Sequence, residues 1–468
     1  MIQGYKRHPY IPNSEPSVEA AMLKELGLTS LEELHAEIPA EIKLKSNMNL
    51  PPAFGSEMEL RKHVSALLRK NAHCEDNVSF LGGGCWQHYV PSVCDEINGR
   101  GEFLTGYGGE SYNDFGRFQT LFEYQSMIAE LVDMDVVNCP TFDWSQAAST
   151  ALRMAGRITG RKRLLVPSTL DPQKWQIIKN YCEPIHEVEK VAYDKDTGLM
   201  DLDDLKRKLG PDVAAVYFEN PSFLGFLETQ AAEITALARE AGAEAVVGVD
   251  PISLGVIAPP VSYGATIVCG ELQPLGMHIQ YGGGQAGFIA TADDPKYVLE
   301  YPSRLFGICP TAAPGEYGFA DVAYDRTSFG DLRHEAKEFV GTQAGLWGIT
   351  AGVYLALMGP DGMREVGETI MQNAQYAVGL LNKIPGVKAN CFGGVFFKEF
   401  VVDFNETGHT VAEINRALRG DSIFGGHDLS KAFPELKQSA LYCVTEMHTE
   451  TDIKRLAGLM GAAVAQRR

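Results

Sequence analysis

Residues 245–255 read AVVGVDPISLG, residues 266–276 read TIVCGELQPLG, and residues 282–288 read GGGQAGF. The first two segments each begin with a short apolar run, which is typical of a strand buried on both faces. The first strand delivers Asp250 at its carboxyl end, and the glycines of the third segment predict a turn. The rest of the chain is organised around this buried strand, its terminal acid and the second strand.

An Asp at the end of such a strand suits one cofactor in particular. Folds of the aminotransferase type use it to hold the pyridine nitrogen of pyridoxal phosphate (PLP), and a lysine just past the second strand binds the cofactor covalently. Between Ala243 and Tyr297 the only lysine is Lys296, which lies well outside that loop. The sequence therefore predicts a PLP fold that has kept the Asp and lacks the lysine.

Composition narrows the class of protein. The chain has 468 residues, of which 45% are hydrophobic and 22% charged, as in ordinary globular proteins. Its net charge of −19 argues against nucleic acid or an anionic membrane as partner, because both require a basic surface. No apolar run reaches the ~20 residues of a membrane span, and the first residues are polar. We expect a cytoplasmic protein.

The cysteines and histidines do not form a metal-binding pattern. None of the nine cysteines stands in a Cys-x-x-Cys pair, and the eleven histidines lack the His-x-x-x-His spacing of a helical metal pair. Free thiols in a reducing compartment are the default for such a distribution. We expect no structural metal.

Strands and helices alternate from residue 163 to residue 250, which predicts a mainly parallel sheet with helices on both faces. We therefore expect an α/β fold of the PLP-dependent transferase type (fold type I). Residues 1–60 form an N-terminal arm with short helices, of the kind that usually wraps a partner. Residues 61–338 form the large PLP-fold domain. Residues 339–468 form a C-terminal α+β small domain with its linking helix.

Two further stretches allow more than one interpretation. In PLP folds the phosphate lies at the start of the helix that follows Asp143, where free N–H groups and the helix dipole favour an anion. Asp143 can cap this helix itself, so an ordinary capped helix is the competing interpretation. The glycines of residues 82–84 stand beside aromatic residues. They indicate backbone close to a ligand or a neighbouring subunit, although a tight turn explains them equally well.

Eight blocks, in order along the chain, resemble the P-protein family of the glycine cleavage system, glycine dehydrogenase (decarboxylating). They match subunit 1 in the form of that enzyme that is split into two chains. The blocks are YIPN (10–13), FLG (80–82) with HYVP (88–91), FEYQ (122–125), ENPSFLG (219–225), DPISLG (250–255), GELQPLG (270–276), FFKEF (396–400) and CVTE (443–446).

The resemblance implies a subunit that lost the PLP-binding lysine. It would assemble with a homologous subunit 2 that kept this lysine, two copies of each. Pro274 would stand at the lysine position, and PLP is expected on the partner subunit rather than on this chain. In the family the complex removes the carboxylate of glycine and passes the aminomethyl group to a lipoyl carrier protein, with PLP as the electron sink. Asp250, Asn220 and Ser145 would remain from the cofactor site.

Four blocks depart from the usual sequence of subunit 1. The usual YTPYQPEISQG is YGGESYNDFG at residues 107–116, and SMYDG is PTFDW at residues 140–144. VHP is LDP at residues 170–172, and NICTNQ has changed to FVGTQ at residues 339–343. These blocks would line or approach the active site, which favours a paralogue. A different amino acid or amine as substrate, and a non-catalytic scaffold with a vestigial pocket, therefore remain as hypotheses.

Residues 108–115 are polar and aromatic with two adjacent glycines, so they predict an exposed or interface loop. Loops on a rigid scaffold often determine specificity, and this one would reach substrate across the subunit interface. The residues expected to act at this interface are Glu110, Tyr112, Asn113, His88 and Tyr89.

Overall fold

A computed structural model describes residues 10–43, 45–46, 48–104, 115–322, 337–338, 340 and 343–466. Its contacts divide the chain into two compact units, Met1–Ala72 and His73–Arg468. The domain boundaries at residues 60 and 338 remain predictions.

The α-helices of the described residues are α1 (Pro16–Glu25), α2 (Glu57–Leu68), α3 (Ser92–Asn98), α4 (Phe115–Val132), α5 (Trp144–Thr159), α6 (Pro172–Cys182), α7 (Leu202–Lys208), α8 (Ala231–Glu240), α9 (Pro295–Val298), α10 (Gly345–Leu381), α11 (Val411–Gly420) and α12 (Glu450–Ala465).

The strands of the described residues are β1 (Val78–Ser79), β2 (Val136–Val137), β3 (Arg163–Pro167), β4 (Glu187–Val191), β5 (Val213–Glu219), β6 (Glu244–Val249), β7 (Ile267–Glu271), β8 (Gly287–Thr291), β9 (Phe306–Pro310), β10 (Tyr317–Asp321), β11 (Lys388–Ala389), β12 (Glu399–Asp403), β13 (Ile423–Phe424), β14 (His427–Asp428) and β15 (Ser439–Cys443).

The main sheet has seven strands in the order β2-β8-β7-β6-β5-β3-β4. The five strands from β7 to β4 run parallel, whereas β8 is antiparallel to β7 and β2 is antiparallel to β8. Every residue of β5, β6 and β7 is buried, as expected of parallel strands covered on both faces. The predicted α/β fold of type I with a mainly parallel sheet is confirmed.

A second, antiparallel sheet has the strand order β11-β12-β15-β14. It shares an apolar core with α11, α12 and the second half of α10. Two residues from the amino-terminal side of the unit, Val78 and Ser79, also pair in parallel with β13 in this region. β1 and β13 form a two-stranded sheet of their own, which joins the start of the unit His73–Arg468 to its C-terminal part.

Helix α10 links the two sheets and is kinked. The sequence predicts two helices, 339–357 and 363–384, and the run Gly345–Leu381 does consist of two helices that meet at a kink, with non-helical backbone at Gly359. Gly359 has φ 58° and precedes Pro360, which cannot donate a backbone hydrogen bond. The break that the sequence predicts between the two helices is therefore present, at Gly359.

The unit Met1–Ala72 buries little apolar surface. Neither α1 nor α2 has a buried residue, and their apolar side chains, such as Met22, Leu26 and Leu67, are about half exposed. Contiguous exposed apolar surface usually marks an interaction site. That the predicted arm, residues 1–60, wraps a partner stays a prediction. Within the described part of the chain, no helix combines the length and the hydropathy that crossing a membrane requires.

Candidate functional site

Three acids meet at one edge of the main sheet. Glu219 and Glu271 are the last residues of β5 and β7, and Asp250 directly follows β6. All three are buried. Because β5, β6 and β7 are parallel neighbours, their carboxyl ends lie side by side, where open α/β sheets bind ligands. This edge is therefore the candidate site.

Asp250 is paired with a lysine from the second sheet region. Its Oδ1 accepts a hydrogen bond from the Ile252 N–H at 3.2 Å. Its Oδ2 lies 2.7 Å from Nζ of Lys398, the residue just before β12. This contact is an ion pair in which both side chains are almost fully buried. Asp250 is thus engaged by the chain itself.

Lys398 also contacts an aromatic ring and an imidazole. Its Nζ lies 3.7 Å from the centre of the Trp86 ring and 3.0 Å from Nε2 of His88. Because an ammonium group can only donate, His88 accepts at Nε2 and carries its proton on Nδ1, 2.9 Å from Oε2 of Glu446. The Tyr89 N–H donates to Oε1 of Glu446 at 2.8 Å. Burial opposes ionisation of Glu446, but these partners outweigh it and lower its pKa.

A second buried lysine lies on the other side of the cleft. Lys174 of α6 donates to Oε1 of Glu219, which also accepts from the Tyr217 hydroxyl at 2.8 Å. The Lys174 Nζ lies 3.4 Å from the centre of the Trp144 ring, a cation–π contact. The cleft therefore contains two cations, and each is already matched to a carboxylate and an aromatic face.

Glu271 binds the backbone donors next to the start of α5. Its Oε2 accepts from the Trp144 N–H at 3.1 Å. Its Oε1 accepts from the N–H groups of Ala286 at 2.8 Å and Gln273 at 3.1 Å. Burial raises the pKa of Glu271 to about 8, against the lowering effect of these three donors. A carboxyl group therefore binds the N–H at the helix start where the sequence suggests a phosphate site.

The start of α5 carries a second acid and a large ring. Asp143 caps the helix, with Oδ1 2.6 Å from the Gln146 N–H, so the capped-helix interpretation is confirmed. The Trp144 ring lies against Gly248 of β6. A Cβ on that glycine would be 2.8 Å from Cζ2 of the ring. The bare backbone of β6 thus makes room for an indole ring at the candidate site.

The glycines of residues 82–84 approach a side chain of the same chain. The Gly83 N–H donates to Oε1 of Glu399 at 2.7 Å, and a Cβ at Gly82 would overlap that oxygen. Burial raises the pKa of Glu399 to about 7. The close approach that the sequence predicts for these glycines is therefore explained within the chain, without a ligand or a subunit.

The space left at this edge is a cavity of about 30 Å³. A single water needs ~10–15 Å³ by this measure, and pockets for drug-sized ligands are ~300–1,000 Å³. PLP does not fit, because the Trp144 ring fills the cleft and Lys398 holds Asp250. The cavity is lined by Gly84, Trp86, Trp144, Asp171, Lys174, Glu219, Pro221, Ser222, Phe223, Asp250, Lys398 and Glu399.

Of the residues that the sequence singled out, Asp250 lines this cavity and His88 contacts it through Lys398. Pro274 is buried beyond β7 and does not line it. Asn220 is buried, and its side-chain oxygen accepts from the Glu228 N–H at 3.1 Å. Ser145 is half-buried in the first turn of α5.

The proposed interface residues divide into two groups. The Tyr89 side chain is 62% exposed, so it is free to meet a partner, whereas His88 is buried. Glu110, Tyr112 and Asn113 lie outside the residues that the structure describes. Among the described residues, no cluster of His, Cys, Asp or Glu is arranged to hold a metal ion.

Sequence reasoning did not anticipate most of the side chains that fill the cleft. One signal was available, since Glu219 and Glu271 end apolar strands in the same way that Asp250 does. The two lysines had no such signal. The residues that were missed are Trp86, Trp144, Lys174, Glu219, Glu271, Lys398 and Glu399.

The raised pKa values of two buried glutamates, Glu399 and Glu271, predict that the folded state becomes less stable as pH rises. An unfolded Glu titrates near pH ~4.3, whereas in the folded chain the pKa values of Glu399 and Glu271 are raised to about 7 and about 8. Between these limits the folded state binds more protons, so its free energy of unfolding should drop by up to ~1.4 kcal/mol per pH unit for each group. Urea unfolding from pH ~5 to pH ~8 measures this slope.

Glu271→Gln and Glu399→Gln should each flatten the slope, because glutamine does not titrate. Glu183→Gln is the control, since the Glu183 side chain is 45% exposed and lies on the far end of α6. A wild-type slope that persists in the Glu271→Gln/Glu399→Gln variant would contradict the assignment.

Comparison with known proteins assigns the chain to a family. The sequence profile of the glycine cleavage system P-protein family matches residues 8–460. This chain belongs to the glycine cleavage system P-protein family. It is 38% identical over 463 residues to the probable glycine dehydrogenase (decarboxylating) subunit 1 of Staphylothermus marinus, covering 96% of this chain and 97% of that one. Its identity to the protein of the same name from Pyrococcus furiosus is 38% over 441 residues, covering 93% and 95%.

A solved structure agrees with the P-protein assignment. The inhibitor-bound crystal structure of glycine decarboxylase (P-protein) of the glycine cleavage system superposes with a TM-score of 0.85 and 31% identity, covering 98% of this chain and 100% of that one. The sphingosine-1-phosphate lyase of Burkholderia pseudomallei has a TM-score of 0.65 at 14% identity, covering 90% and 93%. The latter likeness concerns the fold alone.

Proposed function

We propose that this P-protein chain is the subunit of a two-chain PLP-dependent glycine decarboxylase that lacks the PLP-binding lysine. It assembles with a homologous lysine-bearing subunit in the cytoplasm, two of each, and PLP is bound on that partner. The complex removes the carboxylate of glycine and passes the aminomethyl group to a lipoyl carrier protein. PLP supplies the electron sink for this chemistry.

The observation that carries the proposal is the combination of a full-length family match with a cleft that cannot hold the cofactor. Relatives named as subunit 1 are 38% identical over nearly the whole chain. Pro274 has no amine, and the remaining cavity of about 30 Å³ is far too small for PLP. Chemistry that needs PLP must therefore use a cofactor held elsewhere. The nine free cysteines support a reducing compartment.

One sequence feature favours an alternative substrate. Residues 107–116 depart from the usual sequence of subunit 1, and we propose that Glu110, Tyr112 and Asn113, with Tyr89, meet substrate across the subunit interface. Under this alternative the complex decarboxylates another amino acid or amine. The same assay, run with a panel of amino acids, separates it from glycine decarboxylation.

The experiment is co-expression of this chain with its homologous lysine-bearing subunit. We expect a complex that contains PLP and releases labelled CO₂ from carboxyl-labelled glycine when a lipoylated carrier is added, while neither chain does so alone. Borohydride reduction followed by peptide mapping should find pyridoxyl-lysine on the partner and none in residues 244–295 of this chain.

Three results would count against the proposal. A pyridoxyl label within residues 244–295 would place the cofactor on this chain. Turnover by the partner alone, at the rate of the complex, would make this chain dispensable. A complex that ignores glycine and decarboxylates another member of the panel would establish the alternative substrate.

A further inference from the structure

The cleft of this chain contains a counterpart for each contact that PLP would need. A cofactor of this kind requires donors for its phosphate, room for its ring, and a partner for its pyridine nitrogen. We propose that Glu271, Trp144 and Lys398 take these three places, so the chain excludes PLP by occupancy as well as by lacking a lysine. This inference rests on the proposed function only for the identity of the excluded cofactor, PLP.

The phosphate place is taken by Glu271. Its two oxygens accept all three nearby N–H groups, from Trp144, Gln273 and Ala286, at 2.8 to 3.1 Å. Glu271 is 1% exposed, so its side chain has no solvent to move into. A phosphate would therefore have to displace a buried carboxyl group from its donors and lie beside it. The Asp143 side chain, which caps the same helix, would also oppose an anion there.

The ring place is taken by Trp144. Its indole lies against the bare backbone of Gly248, and Lys174 covers the ring at 3.4 Å from its centre. A tryptophan buries ~150–250 Å² and is as flat as a pyridine ring, so it fills a slot of that shape. The ion pair between Lys174 and Glu219 then closes the same side of the cleft.

The place of the protonated pyridine nitrogen is taken by the Lys398 ammonium. It supplies the positive charge that Asp250 requires, at 2.7 Å, in a site where an unpaired carboxylate would be costly. The Trp86 ring and Nε2 of His88 hold the ammonium from two other directions. Asp250 thus keeps its charge and its partner without a cofactor.

A cleft filled in this way has a consequence for the assembled enzyme. Because the three places are filled by residues of β7, α5 and the segment just before β12, PLP would have to displace side chains from all three to bind this chain. The partner subunit then does not compete with this chain for cofactor.

The test measures PLP binding to the isolated chain, separately from glycine turnover. Equilibrium dialysis with PLP compares the wild type with the Trp144→Ala/Glu271→Ala variant, which removes the ring and frees the three donors. The control Trp175→Ala/Glu183→Ala removes the same residue types from α6, outside the cleft. We expect wild type and control to bind PLP only weakly, and the cleft variant to bind it at least about tenfold more tightly, a difference of ~1.4 kcal/mol.

A second measurement uses the wild type alone, so it does not depend on the variants folding. Hydrogen exchange of the Trp144, Gln273 and Ala286 amides should be slow and unchanged by added PLP, because Glu271 already holds them. PLP that protects these amides further, or that binds the wild type as tightly as the cleft variant, would overturn the proposal. A folded cleft variant that binds no better than the control would overturn the assignment of Trp144 and Glu271.

Discussion

Replacing Lys398 with Met is expected to lower the free energy of unfolding by about 3–5 kcal/mol. Methionine keeps most of the volume of the side chain but removes the ammonium that faces Asp250 at 2.7 Å. Asp250 is 4% exposed, so its carboxylate cannot recover the lost partner from water. An uncompensated buried charge carries a far larger penalty than the net value of the pair. Urea unfolding of the full chain, followed by tryptophan fluorescence, measures the loss.

The variant Lys398→Met/Asp250→Asn isolates the cause of that loss. With both charges gone, the penalty of an unpaired carboxylate disappears, so the double variant should be more stable than Lys398→Met. Lys454→Met is the matched control, because Lys454 pairs with Glu450 while 59% exposed and such a pair is worth ~0–1 kcal/mol. If the losses from Lys398→Met and Asp250→Asn simply add in the double variant, the two side chains are not coupled and the ion pair is not what holds the cleft.

The main sheet could be predicted from the sequence because the patterns that indicate its strands and helices are local. Apolar strands such as β5 and β6 alternate with helices, and alternation of this kind has few solutions other than a parallel sheet covered by helices. Strand β8 was missed, since its first residues follow three glycines that predict a turn. Antiparallel pairing at Gly287 extended the sheet where only a turn was expected.

The candidate site was predictable only at its strand ends. Asp250 and Glu271 end neighbouring strands, so their proximity follows from topology alone. Lys398, by contrast, lies 148 positions along the chain from Asp250 and arrives from another sheet. No periodicity or spacing within its own segment, FFKEF, distinguishes a lysine that points into a cleft from one that reaches solvent. Long-range packing decided that contact.

Trp144 connects the sequence departures with the structure. It is the last residue of the changed block PTFDW, at a position where the usual block SMYDG has glycine. Its side chain fills this chain's own cleft, against Gly248 and under Lys174. The change in this block is therefore accounted for inside the subunit and does not require a change of substrate. The departure of residues 107–116 from the usual sequence of subunit 1 has no such structural explanation.

The second large effect is expected at Gly225. Its backbone has φ +95°, which a side chain strains, and a Cβ there would overlap the carbonyl oxygen of Glu399 and lie 2.9 Å from the Phe400 nitrogen. The obstacle is backbone at the start of β12, so no rotamer change relieves it. Gly225→Ala must therefore shift β12 away from the loop that follows β5, and Lys398 moves with it.

We expect Gly225→Ala to lower the free energy of unfolding by about 2–5 kcal/mol, from ~1–2 for the left-handed conformation and ~1–3 for the overlap. Gly393→Ala is the matched control, because Gly393 has φ +66° with no atom within 4 Å of its Cβ position. Gly393→Ala should therefore show only the ~1–2 kcal/mol cost of the left-handed conformation.

Since the overlap acts through the strand that carries Lys398, Gly225→Ala should also weaken the pairing of Lys398 with Asp250. Lys398→Met should then cost less in the Gly225→Ala background than in the wild type. Equal losses from the two glycine substitutions would mean that the approach of this loop to β12 contributes nothing to holding the cleft closed.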